Sequence, residues 1–160
     1  MRTERLIEEL GFVLPERAQA PPGFEFSFDW VRVRGNRVYV SGHSPQLADG
    51  SLAGPFGAVP SEISLEAATD AARDTALAVL GDVRRAIGDL DRISAWLTVS
   101  GMVNADHGFT QTTTVVNGFS DLVLQIFGPE VGAHARSAVG VAALPMNNAV
   151  VVSAEIEIDG

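Results

Sequence analysis

Residues 64–87, SLEAATDAARDTALAVLGDVRRAI, carry the pattern that decides the fold. Charged residues are spread around this stretch, whereas its apolar residues advance by three or four positions, as on one side of a helix. These apolar positions are Leu65, Ala68, Ala72, Ala76, Val79, Val83 and Ile87. Ser64 precedes them and has the hydroxyl side chain that caps a helix N-terminus. The stretch therefore predicts a long amphipathic helix with one face against a core.

Apolar segments on both sides of this helix predict strands and a second helix. Before it, alternating aromatic residues predict a strand at 24–34, and Gly35-Asn36 forms a tight turn into a strand at 37–41. After it, we expect a strand at 93–103, a helix at 109–127 ended by Gly128-Pro129, and strands at 138–141 and 149–158. Alternation in the strand at 93–103 predicts that Val99 and Trp96 lie on opposite faces.

The resulting order, β-β-α-β-α-β-β, favours an α+β fold in which two helices pack on one face of a mixed β-sheet. The other sheet face is then uncovered within one chain. The strand sequences VYVSG (38–42) and AVVVSAEIEI (149–158) are strongly apolar. We therefore expect this face to be buried against another copy of the chain.

The first 23 residues differ from the rest. A short helix is predicted at Thr3–Leu10, and the proline-rich LPERAQAPPG (14–23) follows it. We interpret residues 1–23 as an arm on a domain formed by residues 24–160. No targeting segment or membrane-spanning run is recognisable, so we expect a cytoplasmic protein.

Composition excludes several kinds of chemistry. The 160 residues suffice for one domain, and the net charge of −9 disfavours binding to nucleic acid or to membrane surfaces. Cysteine is absent and all eleven basic residues are arginines, which excludes thiolate nucleophiles, Schiff bases and the P-loop lysine. No metal-ligand spacing and no cofactor motif occurs, so we expect neither a metal nor a cofactor.

Few residues remain as candidates for a functional site. His43 follows a strand in a glycine- and proline-rich loop, where a histidine either faces a ligand or is simply solvated. His107 is placed at the start of a helix, which favours a structural role. Arg136 stands at the entry of an apolar strand, where its guanidinium either clamps a carboxylate with two hydrogen bonds or pairs with an acidic residue of the chain.

Two segments, VYVSGHSPQ (38–46) and HARSAVGVAALP (134–145), resemble the RidA/YjgF family of small trimeric proteins, also called reactive intermediate deaminases or endoribonuclease L-PSP. The resemblance extends from about Phe28 to Ile158. It implies a chorismate-mutase-like fold, assembled as a homotrimer with three clefts between subunits.

The resemblance also implies a site. Arg136 matches the arginine that holds the carboxylate of a small imino or keto acid, and Ser41, Gly42 and Ser44 match the loop that lines the same cleft. Three further positions correspond to cleft residues of the family: Phe28 to an aromatic, Asn117 to a helix asparagine and Ala138 to a cysteine. Active members hydrolyse 2-aminoacrylate and related imines to 2-keto acids and ammonia.

One position departs from the family pattern. Deaminating members have a glutamate fifteen residues after the arginine, where this chain has Val151. Glu155 lies on the same strand face but roughly 13 Å further along. His43 is then the titratable candidate for positioning water. Three hypotheses follow: an imine hydrolase, a non-catalytic trimer that binds small carboxylates, and an endoribonuclease, which the acidic charge disfavours.

Overall fold

The computed structural model describes residues 1–160 and contains three α-helices and five strands. In chain order these are α1 Arg2–Glu9, β1 Val31–Arg34, β2 Arg37–His43, α2 Leu65–Ile87, β3 Ile93–Asn104, α3 Thr112–Val131, β4 Ala135–Val141 and β5 Val150–Ile158. Short 3₁₀ turns lie at Leu90–Arg92 and Pro145–Asn147.

Helix α2 has the ends that the sequence predicts. The Ser64 hydroxyl accepts a hydrogen bond from the Ala67 amide at 3.1 Å, and the helix ends at Gly88, whose φ of 89° favours glycine. Of the seven apolar positions in the pattern, all except the half-buried Leu65 are buried. This face of α2 packs on β1, β2 and β5.

The five strands form one mixed sheet in the order β1-β2-β5-β3-β4. Neighbouring strands are antiparallel except β3 and β4, which are parallel. Helices α2 and α3 pack side by side on one face, and the core lies between them and the sheet. The predicted α+β architecture is therefore confirmed, with α1 as a third helix.

Helix α3 differs slightly from its predicted range. It begins at Thr112, and Gly128, with a φ of 81°, interrupts it before one further turn ends at Val131. The inward positions Val115, Phe119, Leu122 and Ile126 are all buried, as their spacing predicts.

The aromatic run at 24–30 is not a strand, so that prediction was wrong. The ladder with β2 comprises Val31–Arg34, preceded by one bond in which the Ser41 amide donates to the Trp30 carbonyl at 3.0 Å. The alternating rings pack on one another instead, with centroids 5.0 Å apart for Phe26 and Trp30 and 4.9 Å apart for Phe28 and Trp30. The alternation therefore reflects contacts between rings and not backbone pairing.

The predicted faces of β3 were also wrong at Trp96. The pairing of β3 with β5 shifts register between Trp96 and Thr98. A shift of this kind turns the following side chains to the other face. Trp96 and Val99 are consequently both buried, and the Trp96 ring packs edge-on against Phe119.

The uncovered face of the sheet is more polar than the strand sequences suggested. Every second residue of β5 is apolar and faces the helices, and the residues between them face outward. Hydroxyl and acidic groups dominate the outer surface: Tyr39, Thr98, Ser100, Ser137, Ser153 and Glu155 are exposed or half-buried. The open face is therefore mixed, since Val139 is also half exposed there, and its burial against another copy of the chain stays a prediction.

The N-terminal arm is bonded to the body along its length. Ile7 of α1 is buried in the main core. Further on, the Glu16 amide donates to the Ala48 carbonyl at 2.9 Å, and the Arg85 guanidinium donates to the Pro15 carbonyl at 3.0 Å. A Cβ on Gly50 would lie 2.1 Å from the Arg17 carbonyl oxygen, so the arm passes this loop at backbone contact. No helix has the length and apolar character needed to cross a membrane.

Candidate functional site

Arg136 is on β4, which begins three residues earlier than predicted and forms one edge of the sheet. Its half-buried side chain reaches α3. Nη1 donates to Asn117 Oδ1 at 2.8 Å and to Ser120 Oγ at 3.0 Å, while Nη2 donates to the Thr113 carbonyl at 3.4 Å. The structure thus places Arg136 and Asn117, predicted separately, in direct contact.

These three bonds leave part of the guanidinium free. Arginine has five N–H donors, so Nε–H and one Nη2 hydrogen have no partner in the chain. No acidic residue forms a salt bridge with Arg136. Of the two interpretations of this arginine, the internal ion pair is therefore not observed. A half-buried guanidinium with free donors suits a carboxylate ligand.

Ser120 and His134 support Arg136, and sequence reasoning missed this contact. The His134 Nδ1 lies 2.7 Å from the Gly132 carbonyl, so this nitrogen donates and Nε2 is an acceptor. The Ser120 hydroxyl, 2.8 Å from Nε2, donates to it and accepts from Arg136. The available signal was the spacing of Asn117 and Ser120, which places both on one face of α3.

A second group of predicted residues lines a separate pocket of about 240 Å³, the arm pocket. Gly42, Ser44, Phe28 and Val151 are in its wall, together with Ala18, Gln19 and Pro21 of the N-terminal arm. Ser41 lies beside it, and its hydroxyl donates to the Asp29 carbonyl at 2.6 Å. The arm thus forms one side of the pocket around Val151.

The residues around Arg136 and the residues of the arm pocket do not meet within one chain. Arg136 and Ala138 are on β4, whereas Ser41 and Gly42 are on β2, and β5 and β3 lie between these strands. Three strand spacings separate β2 and β4 by about 14 Å. The guanidinium also faces α3 at the edge of the sheet. A single ligand of small size therefore cannot contact Arg136 and the arm pocket of the same chain.

His43 is not the loop residue that the sequence suggested. It is the last residue of β2 and is fully buried, because its side chain points to α2. Nδ1 lies 2.6 Å from the Ser41 carbonyl and Nε2 lies 2.9 Å from Asp82 Oδ2. Both ring nitrogens are thus within hydrogen-bond distance of an oxygen of the chain. His43 does not line the arm pocket, which corrects the expectation that it faces a ligand.

Asp82 links His43 to the arm. Besides His43, it accepts two hydrogen bonds from Arg85, at 3.1 and 2.7 Å, and Arg85 in turn holds the Pro15 carbonyl. Burial raises the pKa of Asp82, but the hydrogen bonds from His43 and Arg85 outweigh it, so the net pKa lies below the usual value. This network connects the end of β2, helix α2 and the N-terminal arm.

The remaining titratable candidates lie away from both groups. His107 is exposed in the turn before α3. The carboxylates of Glu4, Asp89 and Asp91 lie close together, but the α-ammonium group of Met1 is bonded among them. A cation of the chain thus offsets part of the negative charge of this acidic cluster.

Comparison with known proteins identifies the family of the chain. The model of the YjgF/chorismate mutase-like endoribonuclease family matches residues 4–158. The chain belongs to the YjgF family. The match includes the N-terminal arm, which the sequence resemblance had left out as an extension.

Individual relatives agree with this assignment. Protein TCP17 of Trypanosoma cruzi is 39% identical over 154 residues, covering 96% of this chain and 92% of the relative. The crystal structure of Atu1372 from Agrobacterium tumefaciens superposes with a TM-score of 0.86 at 34% identity, covering 99% of this chain and 92% of the other. RidA from an Antarctic Psychrobacter, at 19% identity and a TM-score of 0.56, shares the fold and covers 89% of this chain and 94% of its own.

Val151 stands where deaminating YjgF members are expected to have a glutamate, and the structure shows what surrounds it. A Cβ on Gly42 would lie 2.7 Å from Val151 Cγ1, so the valine packs directly on the backbone of the Ser-Gly loop. Glu155, four residues further on, is exposed and paired in register with Tyr39. No carboxylate therefore lines the arm pocket.

Proposed function

We propose that the chain binds a small 2-imino or 2-keto acid in clefts between copies of a homotrimer, with Arg136 as the carboxylate anchor. The observation that carries this proposal is the free part of the Arg136 guanidinium. Asn117, Ser120 and the Thr113 carbonyl fix its orientation, and no acidic residue neutralises it. Because the orientation of the guanidinium is fixed, its free N–H donors are available to one carboxylate.

A cyclic assembly accounts for the separation of the two groups of site residues. In a closed ring of identical subunits, each interface joins two different patches of the chain. The edge strand β4 with Arg136 is one patch, and the end of β2 with Gly42 and Ser44 is another. A cleft between neighbouring copies brings the arginine of one to the loop of the next.

The reaction at such a cleft is hydrolysis of the imine. Water adds to the imine carbon, and the resulting carbinolamine loses ammonia, so that one imino acid and one water give one keto acid and one ammonia. Val151 cannot deprotonate water, and His43 is buried away from the pocket. Positioning by Arg136 and the Ser-Gly loop is then the contribution of the protein, and the rate enhancement is modest.

A non-catalytic carboxylate-binding trimer is the second candidate. The close packing of Val151 on Gly42 favours it, because this packing replaces a proton-transfer group with an apolar contact. The two candidates share the Arg136 anchor and differ only in turnover, so one experiment separates them.

The test begins with the mass of the native particle, measured by light scattering. 2-Iminobutanoate is then generated in situ, and its loss is followed with wild type, Arg136→Lys and Arg136→Ala. Arg73→Ala is the control, because Arg73 is an exposed arginine on α2 that pairs with Asp74. We expect a trimer whose acceleration of imine loss falls at least tenfold in both Arg136 variants and stays unchanged in the control.

Other outcomes decide against parts of the proposal. A trimer that does not accelerate imine loss, yet is stabilised against heat by 2-ketobutanoate only when Arg136 is present, supports the binding candidate. A monomer contradicts the clefts between copies, and stabilisation that survives in Arg136→Ala contradicts the arginine anchor.

A further inference from the structure

The hydrogen bonds of Arg136 within the chain restrict how its guanidinium can meet a ligand. Both Nη1 hydrogens are used, since Nη1 donates to Asn117 Oδ1 at 2.8 Å and to Ser120 Oγ at 3.0 Å. Nη2 donates to the Thr113 carbonyl at 3.4 Å. A carboxylate that bonds the end of a guanidinium needs one hydrogen from each Nη, so this end-on mode is closed.

The other edge of the guanidinium stays open. Thr113, Asn117 and Ser120 follow one another along α3, so the Nη2 hydrogen that meets Thr113 is the one beside Nη1. The second Nη2 hydrogen lies beside Nε–H, and these two N–H bonds point in the same direction. Two parallel donors match the two oxygens of a carboxylate. The geometry therefore leaves the Nε–Nη2 edge for a ligand.

Ser120 can hold Nη1 only while its hydroxyl group points out of the helix. A serine inside a helix has a competing acceptor, the carbonyl four residues earlier, which here belongs to Val116. Thr75 on α2 shows this alternative, because its hydroxyl group donates to the Ala71 carbonyl at 2.7 Å. The same bond at Ser120 would turn Oγ back onto the helix and away from the guanidinium.

His134 supplies the acceptor that prevents this. Its Nδ1 lies 2.7 Å from the Gly132 carbonyl at the end of α3, which leaves Nε2 to accept the Ser120 hydrogen at 2.8 Å. Ser120 is 7% exposed, so water has little access to its hydroxyl group. The direction of this hydroxyl group is therefore decided by His134 and not by solvent.

We propose that His134 is a positioning residue for Arg136. By accepting the Ser120 hydrogen, it keeps Ser120 Oγ as an acceptor for Nη1 and holds the guanidinium with its Nε–Nη2 edge toward the ligand. This role rests on the proposed function, and it implies that the carboxylate of the bound acid is met side-on by two parallel hydrogen bonds. His134 itself does not touch the ligand.

Variants at positions 120 and 134 test this role. His134→Leu removes the acceptor, and Ser120→Ala removes the hydroxyl group between it and Arg136. His134→Gln restores an acceptor, since the carboxamide oxygen of glutamine can take the place of Nε2. His107→Leu, at an exposed position before α3, is the matched control. Titration calorimetry measures the affinity of each protein for 2-ketobutanoate.

We expect His134→Leu and Ser120→Ala each to weaken 2-ketobutanoate binding about fivefold, as the loss of one net hydrogen bond allows. The double variant should bind no more weakly than the weaker single variant, because both changes interrupt the same chain of hydrogen bonds. His134→Gln and the His107→Leu control should bind like wild type.

NMR of the arginine side chains adds a measurement that needs no ligand. In wild type, the bonds at Nη1 should slow rotation about the Cζ–Nη1 bond of Arg136, so that the two Nη1 hydrogens give separate signals. These signals should merge in His134→Leu and in Ser120→Ala and stay apart in His134→Gln. Adding 2-ketobutanoate to wild type should shift the Nε–H signal.

Equal affinity of wild type and His134→Leu overturns the proposal, and so does an affinity of His134→Gln as low as that of His134→Leu. Separate Nη1 signals that survive in His134→Leu also overturn it, and an Nε–H signal that binding leaves unshifted refutes the side-on mode. If 2-ketobutanoate binds none of the proteins, the anchor of the proposed function is refuted, and the Nη1 signals still decide whether His134 holds Arg136.

Discussion

Replacing Asp82 by asparagine should destabilise the fold far more than the same replacement at Asp74 on the same helix. Asp82 is 4% exposed and bonds the fully buried His43 as well as Arg85. Asp74 is 39% exposed and pairs with Arg73 at the surface. Both changes remove one carboxylate charge from a pair with an arginine, so the comparison measures what burial and the bond to His43 add at Asp82.

The expected magnitude follows from that burial. Removing one partner from a buried ion pair costs about 3–5 kcal/mol, and asparagine keeps one acceptor, so about 3 kcal/mol is expected at Asp82. A surface pair contributes about 0–1 kcal/mol. For a chain of this length, about 3 kcal/mol lowers the unfolding temperature by roughly 6–12 °C.

Urea titration and scanning calorimetry at one fixed protein concentration measure the difference, because the stability of an assembly depends on concentration. The double variant His43→Gln, Asp82→Asn should cost less than the sum of the two single changes, since two neutral amides can bond each other. If Asp82→Asn lies within about 1 kcal/mol of Asp74→Asn, the buried network does not stabilise the fold and the reasoning is refuted.

Three further outcomes are expected. Leu80→Ala, at a fully buried position of α2, should cost about 2–5 kcal/mol in urea titration, against less than about 1 kcal/mol for the exposed Leu124→Ala. Gly118→Ala should destabilise more than Gly140→Ala in calorimetry, because the new Cβ would lie 2.0 Å from a backbone oxygen of α2 in the first case and 3.0 Å from a side-chain carbon in the second. Finally, the lowered pKa of Asp82 stabilises the fold above pH about 4, so stability should fall on acidification in wild type and less steeply in Asp82→Asn.

Each of these comparisons has a clear contrary result. Equal losses for the two leucine variants would contradict the position of the core, and an unchanged melting temperature in Gly118→Ala would contradict the close contact of α2 and α3. Parallel pH profiles for wild type and Asp82→Asn would show that the carboxylate has the same pKa in the folded and unfolded chain.

The helices and the order of elements along the chain were accessible to sequence reasoning because their signals are local. Helix α2 begins after the capping side chain of Ser64 and ends at Gly88, whose backbone conformation favours glycine. The apolar spacing of β5 predicts which of its faces meets the helices. Predictions failed where a distant partner decided the conformation. The run before Val31 lacks a partner strand, and the register shift after Trp96 arises from its pairing with β5.

The site was only partly accessible. The resemblance pointed to Arg136 and Asn117 without showing their contact, and it could not show Ser120 and His134 behind them. His43 was misplaced because a polar residue in a Gly- and Pro-rich segment usually faces solvent, and its acidic partner is 39 residues away on α2.

By itself, the amino-acid sequence determined the α+β class, the two covering helices, the absence of lysine and cysteine chemistry and the presence of a valine at position 151. These depend on residue identity and on short-range periodicity. Only the tertiary structure decided that Arg136 has no acidic partner, that the arm forms one wall of the pocket and that two buried amide oxygens have no partner within the chain. Such facts depend on which residues, remote in sequence, share a place after folding, and hydrogen-bond satisfaction can be assessed only there.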